Sequence, residues 1–246
     1  MRAALQKRGV DDRFVFSDPD TGTSTCIVLI KENAQRSFLT FKGCLRNFGD
    51  GDIDYTCVRQ ARLVSIGGLF SLPSFDRSAS IRLLQAAKDA GCITVVDTKY
   101  DAFHIGLQGI GNLLEYTDYF FPSYDEAAAL SGLTEPAQIA RFFRSRGAKH
   151  VGVKLGADGC YVCSNAFCGT VAPFCTSVLD TTGAGDNFMA GLIHGVLRGW
   201  TIQDCVTFAN AAGALACSRL GATSDLDYLQ YIGFAFSIAF SLAAKG

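Results

Sequence analysis

A chain of 246 residues, 49% of them hydrophobic, is long enough for one large α/β domain with a well-developed core. With 22 basic and 23 acidic residues the formal net charge is -1, so the chain has neither the basic excess of a nucleic-acid binder nor an acidic tail. No apolar run reaches the ~18 residues of a membrane span; the nearest approach, Ile232 to Ala244, is interrupted by Ser237 and Ser241 and reads as a final core helix.

Met1 to Arg8 reads as the end of a helix stopped by Gly9. It is charged and amphipathic, with no apolar signal core, so the ten cysteines are expected to be reduced thiols of a cytoplasmic protein. Phe14 to Phe16 fits a short strand, and Ser17-Asp18-Pro19-Asp20-Thr21-Gly22 a turn. Thr23 to Lys31 and Arg36 to Phe41 are strand-like, and Glu32 to Gln35 joins them as a hairpin that Gly43 ends. From Ala61 the rhythm becomes strand, helix, strand. Leu63 to Ile66 and Ile93 to Val96 flank a helix from about Asp76 to Ala90. Such alternation argues for a parallel sheet with crossover helices, whose strand ends line the site. Asp97 and Lys99 stand at such an end, where Asp97 either caps a turn or faces a ligand.

The run G-L-Q-G-I-G from Gly106 lacks dinucleotide-binding spacing, and the chain contains no P-loop. Tyr119 to Phe121 is a strand. Ser123 and Glu126 then form the pattern S-x-x-E of a capping box before the helix Ala127 to Leu130. Pro136 to Gly147 is a helix whose arginines read as a solvated face, and His150 to Lys154 is a strand turning through Gly156 and Gly159 into Cys160 to Cys163. Cys160, Cys163, Cys168 and Cys175 include one C-x-x-C. Strand periodicity sends Cys160 and Cys163 to opposite faces and no second C-x-x-C follows, which argues against zinc.

The most informative stretch is Asp180-Thr181-Thr182-Gly183-Ala184-Gly185-Asp186, after an apolar strand-like run from Val171 to Leu179 and before a helix to about Leu197. Glycines at a helix start leave amides uncovered at the positive end of the helix dipole, a natural anion site. Asp186, in the first helical turn, is placed to take a proton from an attacking hydroxyl. The bland alternative is a glycine-rich turn whose aspartates cap the helix. A last helix, Gln203 to Cys217, carries Asn210 in F-A-N-A-A-G-A-L, which suits either close helix packing or a flat base lying against the backbone.

The stretch D-T-T-G-A-G-D resembles the second signature of the ribokinase-like (PfkB) carbohydrate kinases. The resemblance implies a three-layer α/β/α sandwich with a mainly parallel sheet and a small β lid, here the hairpin at about 14–43. It implies transfer of the γ-phosphoryl of ATP to a hydroxyl of a small sugar. Asp186 would be general base, and the amides of Gly183, Ala184 and Gly185 the anion hole. Lys154, Gly156, Gly159, Asn210, Ser123 and Glu126 would serve the nucleotide, Ser123 standing where the family has asparagine. Glu126 would reach Mg2+ through water. Carbonyls around Ala216, Arg219 and Gly221, with Asp180 and Thr182, would hold a monovalent cation such as K+.

The resemblance runs from Asp12 to Ala222 and begins partway into the family pattern, whose first strand, early sugar-contacting aspartate and Gly-Gly turn have no counterpart here. The expectation is one kinase domain over 1–246, N-terminally incomplete, with a sugar as partner, a homodimer through the lid, and neither nucleic acid nor membrane. A weak or inactive nucleotide-binding relative and a nucleoside kinase are the alternatives.

Overall fold

The computed structural model describes residues 2–30 and 36–221. The lid turn Glu32 to Gln35, Ala222 and the apolar run Ile232 to Ala244 lie outside the described residues. Helix α1 (Arg2–Lys7) ends before Gly9, whose φ of +69° suits a glycine. Phe14 to Phe16 is not a strand. The Val15 amide donates to the Asp12 carbonyl and Asp11 accepts from the Arg13 amide, so local turns use the groups a ladder would need. The turn at Ser17 to Gly22 is held by Asp18, which accepts from the amides of Asp20 and Thr21. Strands β1 (Thr25–Ile30) and β2 (Arg36–Phe41) pair antiparallel, with Thr25 opposite Phe41. Gly43 must remain glycine. Its φ is +50°, and a Cβ there would lie 2.3 Å from the Gly22 carbonyl oxygen.

Helix α2 (Tyr55–Gln60), begun by Asp54 as N-cap, leads to β3 (Leu63–Leu69). Then come α3 (Ser78–Asp89), β4 (Ile93–Thr98), the short α4 (Gly106–Gly109) and β5 (Tyr119–Phe120). Helices α5 (Tyr124–Ser131) and α6 (Pro136–Arg144) precede β6 (His150–Lys154), and β7 (Cys160–Cys163) and β8 (Cys168–Val171) follow. Helices α7 (Ala184–Leu197) and α8 (Ile202–Cys217) complete the described fold. The central sheet has the order β3-β4-β5-β6-β7-β8. Its first four strands are parallel, and β7 and β8 turn antiparallel.

Apolar cores form on both faces of the sheet because adjacent strand residues face opposite ways. Val96, Phe120, Val151 and Val153 pack with Leu84, Ile139 and Phe143 on one face. Val95, Phe121 and Val162 pack with Phe188, Leu192, Val206 and Ala209 on the other. Cys163 belongs to the first core and Cys160 to the second, the opposition that strand periodicity anticipates. On the second face α7 and α8 touch closely. A Cβ on Gly191 would lie 2.9 Å from the Ala209 Cα.

The strand expected over Val171 to Leu179 stops at Val171. Pro173 has no amide to continue a ladder, and the Leu179 and Asp180 amides donate instead to the Cys217 carbonyl at the end of α8. Arg144 departs from a purely solvated reading, because its guanidinium bonds Asn165 at 2.5 Å.

At the sheet end where β5 begins, Asp118 accepts from Lys88 and Lys149, both at 2.8 Å, and from the Thr94 amide at 3.0 Å. Burial raises its carboxyl, but the two ammonium groups and the amide outweigh burial and hold it below its ordinary value. The unfolded carboxyl titrates at about 3.9. The stabilisation is therefore present above that pH and is lost as pH falls through the lower folded value. Asp118→Ala should cost about 1.5–3 kcal/mol in urea unfolding at neutral pH, and its gap from the wild type should narrow on acidification.

Candidate active site

Parallel strands deliver their carboxyl ends to one edge of the sheet, and the chemistry-bearing residues collect there. Strand β4 ends in Asp97-Thr98, β6 ends in Lys154, and the chain leaving β5 enters α5 at Ser123. The Lys154 amide donates to the Pro122 carbonyl at 3.0 Å, and Ser123 forms a parallel bridge with Lys154. Across the end of β5, Lys154 Nζ contacts Asp97 Oδ1 at 2.7 Å, with both side chains largely buried at 13% and 7% exposure. Burial pushes the Asp97 carboxyl above its ordinary value, against the pull of Lys154.

Glu126 sits in the first turn of α5. Its Oε2 accepts from the Ser123 amide at 3.1 Å and from the Thr98 hydroxyl at 2.7 Å. The capping box is therefore present, and one hydroxyl of β4 orients the same carboxylate.

Helix α7 starts at Gly183, whose φ of +81° is left-handed and favours glycine. The Asn187 amide and side chain both donate to the Gly183 carbonyl at 2.9 Å. Of the expected anion-hole amides, that of Ala184 donates to the Thr181 carbonyl at 3.2 Å. The amides of Gly183, Gly185 and Asp186 make no hydrogen bond among the described residues. A Cβ on Gly185 would stand 3.6 Å from Lys154 Nζ, so the amide turn and the ammonium face each other.

Both line a cavity of about 460 Å³. Lys154, Gly156, Gly159, Ala184, Gly185 and Asn210 line it together with Pro173, Phe174, Val178, Phe188 and Ala214. Six residues singled out from the sequence thus meet at one hollow. Gly159 needs its φ of +85°, and a Cβ there would lie 2.3 Å from the Val171 carbonyl oxygen. Asn210 is buried, and its NH2 donates to the carbonyls of Val171 and Ala172, so it ties the wall after β8 to α8. Asp186 follows the two lining residues Ala184 and Gly185; its side chain is exposed and is not part of the cavity wall.

Glu126 and Ser123 lie outside this wall. Glu126 instead lines a second hollow of about 320 Å³ with Lys99, Tyr100, Asp101, His104 and Leu130. Asp101 accepts from the amides of Ile105 and Gly106. The polar run D-T-K-Y-D that closes β4 and leads out of it is the signal for Asp101, and sequence reasoning goes no further than Lys99. It also missed the wall Pro173 to Val178, read there as strand.

The expected monovalent-cation residues gather at the other end of the signature loop. Asp180 accepts from the Thr182 amide at 2.9 Å and from the Gly221 amide at 3.0 Å, and the Ala216 carbonyl accepts from the Arg219 amide. Among the described residues no three His, Cys, Asp or Glu side chains cluster as a metal cage. Nor, among them, is any helix long and apolar enough to cross a membrane.

Residues 1–228 match the model of the pfkB family carbohydrate kinases. The chain is 27% identical over 224 residues to an uncharacterized sugar kinase of Archaeoglobus fulgidus, covering 91% of this chain and 88% of that protein. It is 26% identical over 239 residues to fructokinase-2 of Oryza sativa subsp. japonica, covering 90% of this chain and 70% of that one. The structure of Arabidopsis thaliana ribokinase complexed with ribose and ATP superposes with a TM-score of 0.73 at 26% identity, covering 88% and 70% of the two chains. The fold is ribokinase-like, and the chain belongs to the pfkB family of carbohydrate kinases.

Proposed function

We propose that the protein transfers the γ-phosphoryl of ATP to a hydroxyl of a small neutral sugar. The observation that carries this reading is the convergence on one apolar-walled cavity of Lys154 and Gly185, whose amide makes no hydrogen bond among the described residues. The apolar wall suits a purine, and the charged end suits phosphates. Lys154 and the amides of Gly183 and Gly185 stabilise charge on the migrating phosphoryl group, the electrostatic contribution that dominates such reactions. Asp186, exposed beside that turn, accepts the proton of the sugar hydroxyl. The relatives named for fructose and ribose support a neutral polyol as acceptor.

Magnesium supplies charge neutralisation on the phosphates when bound. It commonly uses one or two carboxylates plus substrate oxygens rather than an all-protein cage. Glu126 fits that mode, since Thr98 and Ser123 hold one of its oxygens and orient the other. Gathering of Asp180, Thr182, Ala216, Arg219 and Gly221 supports a K+ site at the back of the turn. The whole chain is read as one kinase domain in the cytoplasm, where ATP is supplied. The β1–β2 hairpin is its lid, and the exposed Ile27, Leu29, Leu39 and Phe41 offer a contact to a second copy.

A second reading has one specific observation behind it. Asp186 stands outside the cavity wall, an arrangement that suits binding nucleotide without transferring phosphate. ATP turnover against ribose, fructose, 2-keto-3-deoxygluconate, adenosine and inosine separates the readings. A sugar-dependent rate supports the proposal; ATP binding with no acceptor supports the second; a rate with a nucleoside alone sinks the sugar assignment. Asp186→Asn should lower kcat by about 10²–10⁴-fold with the KM for ATP little changed. Gly185→Val places a side chain against Lys154 and should raise the KM for ATP about tenfold or more, the scale of one lost charge-assisted hydrogen bond.

A further inference from the structure

Lys154 pairs with one of the two carboxylates, Asp97 and Glu126, carried by the neighbouring segments. Asp97 Oδ1 holds its ammonium at 2.7 Å. Glu126 is near as well, because its N-cap Ser123 bridges Lys154 directly and its carboxylate is bonded to Thr98, the residue after Asp97. Glu126 has no ion pair with Lys154. Thus two consecutive residues at the end of β4 sort a cation from an anion. Asp97 draws the ammonium toward the cavity, and Thr98 fixes the carboxylate on the other side.

The arrangement is costly unless it serves a purpose. Asp97 and Lys154 belong to strands separated by β5, so both side chains extend inward over its end to meet. A buried ion pair seldom repays its desolvation, and its common use is to specify a geometry. The geometry specified here is an ammonium 3.6 Å from the Cβ position of Gly185, whose amide makes no hydrogen bond among the described residues. An ammonium has three donors, and Asp97 takes one.

We propose that Asp97 is a positioning residue for nucleotide binding: it pins Lys154 against the α7 amide turn and keeps it from collapsing onto Glu126. The proposal rests on the nucleotide reading given above. Without the Asp97 charge, Glu126 becomes the carboxylate within reach of a buried ammonium. Pairing of the two removes the cation from the phosphate cradle and neutralises the carboxylate assigned to magnesium.

The test is calorimetric titration of ADP into the full chain, with and without Mg2+, across a cycle of Asp97→Asn and Lys154→Met, with Asp97→Glu beside it. Asp97→Asn should weaken Mg2+-free ADP binding about tenfold or more, the loss equivalent to one charge-assisted contact. Asp97→Glu, which restores the charge, should recover most of that affinity. The loss in Asp97→Asn/Lys154→Met should match that of Lys154→Met alone, because residues acting through one contact are not additive. Mg2+ should improve ADP binding less in Asp97→Asn than in the wild type. Wild-type affinity in folded Asp97→Asn, or additive losses in the cycle, would overturn the proposal and leave the nucleotide reading standing. A wild type that binds no ADP would overturn both. Should Asp97→Asn alone fail to fold, Lys154→Met with and without it gives the same answer: equal affinity supports positioning, and a further loss refutes it.

Discussion

The ammonium of Lys154, buried between the ends of β4 and β6, is the contact on which the candidate site depends. An ammonium in a low-dielectric setting must have a counter-charge, and Asp97 provides one from two strands away. That requirement ties together sheet register, the direction of the strand ends and the approach of α7. A shift of β6 by one residue would turn Lys154 to the other face of the sheet. The pair therefore reports on the whole arrangement beneath it.

The rest of the fold positions this contact. Parallel strands buried on both faces form a rigid floor, with Val95 and Phe121 on one side and Val96 and Phe120 on the other. Close packing of α7 on α8 at Gly191 sets the height of the signature turn above that floor. Asn210, from the same α8, holds the carbonyls of Val171 and Ala172 and so builds the facing wall. The far end of the sheet carries a separate charged cluster around Asp118, which stabilises the fold without approaching the site. The stabilising cluster and the candidate site thus stand at opposite ends of the strands.

Local features were legible in the sequence because local rules govern them. The strand His150–Lys154, the strand Cys160–Cys163 and the hairpin strand Arg36–Phe41 have the bounds that their apolar patterns indicate. Ser123 and Glu126 form the capping box that their spacing announces. Where a segment's hydrogen bonds go elsewhere, pattern misleads. Val178 and Leu179 are apolar and strand-like, yet both are more than 60% exposed, at 62% and 63%, in a chain that turns away after Pro173. Phe14 to Phe16 fails as a strand for a related reason, since its neighbours satisfy one another in turns.

From the sequence alone came the α/β class, the glycine turn before Asp186, the candidate phosphate residues and the family resemblance, all carried by neighbours along the chain. Tertiary structure decided which of these residues share a surface. It set Lys154 against Asp97, which stands 57 positions earlier, and against Gly185, and it gave Glu126 a different hollow from Asn210. The physical reason is that spacing encodes periodicity within an element, whereas contacts between strand ends depend on sheet order and crossover packing, which no local pattern specifies.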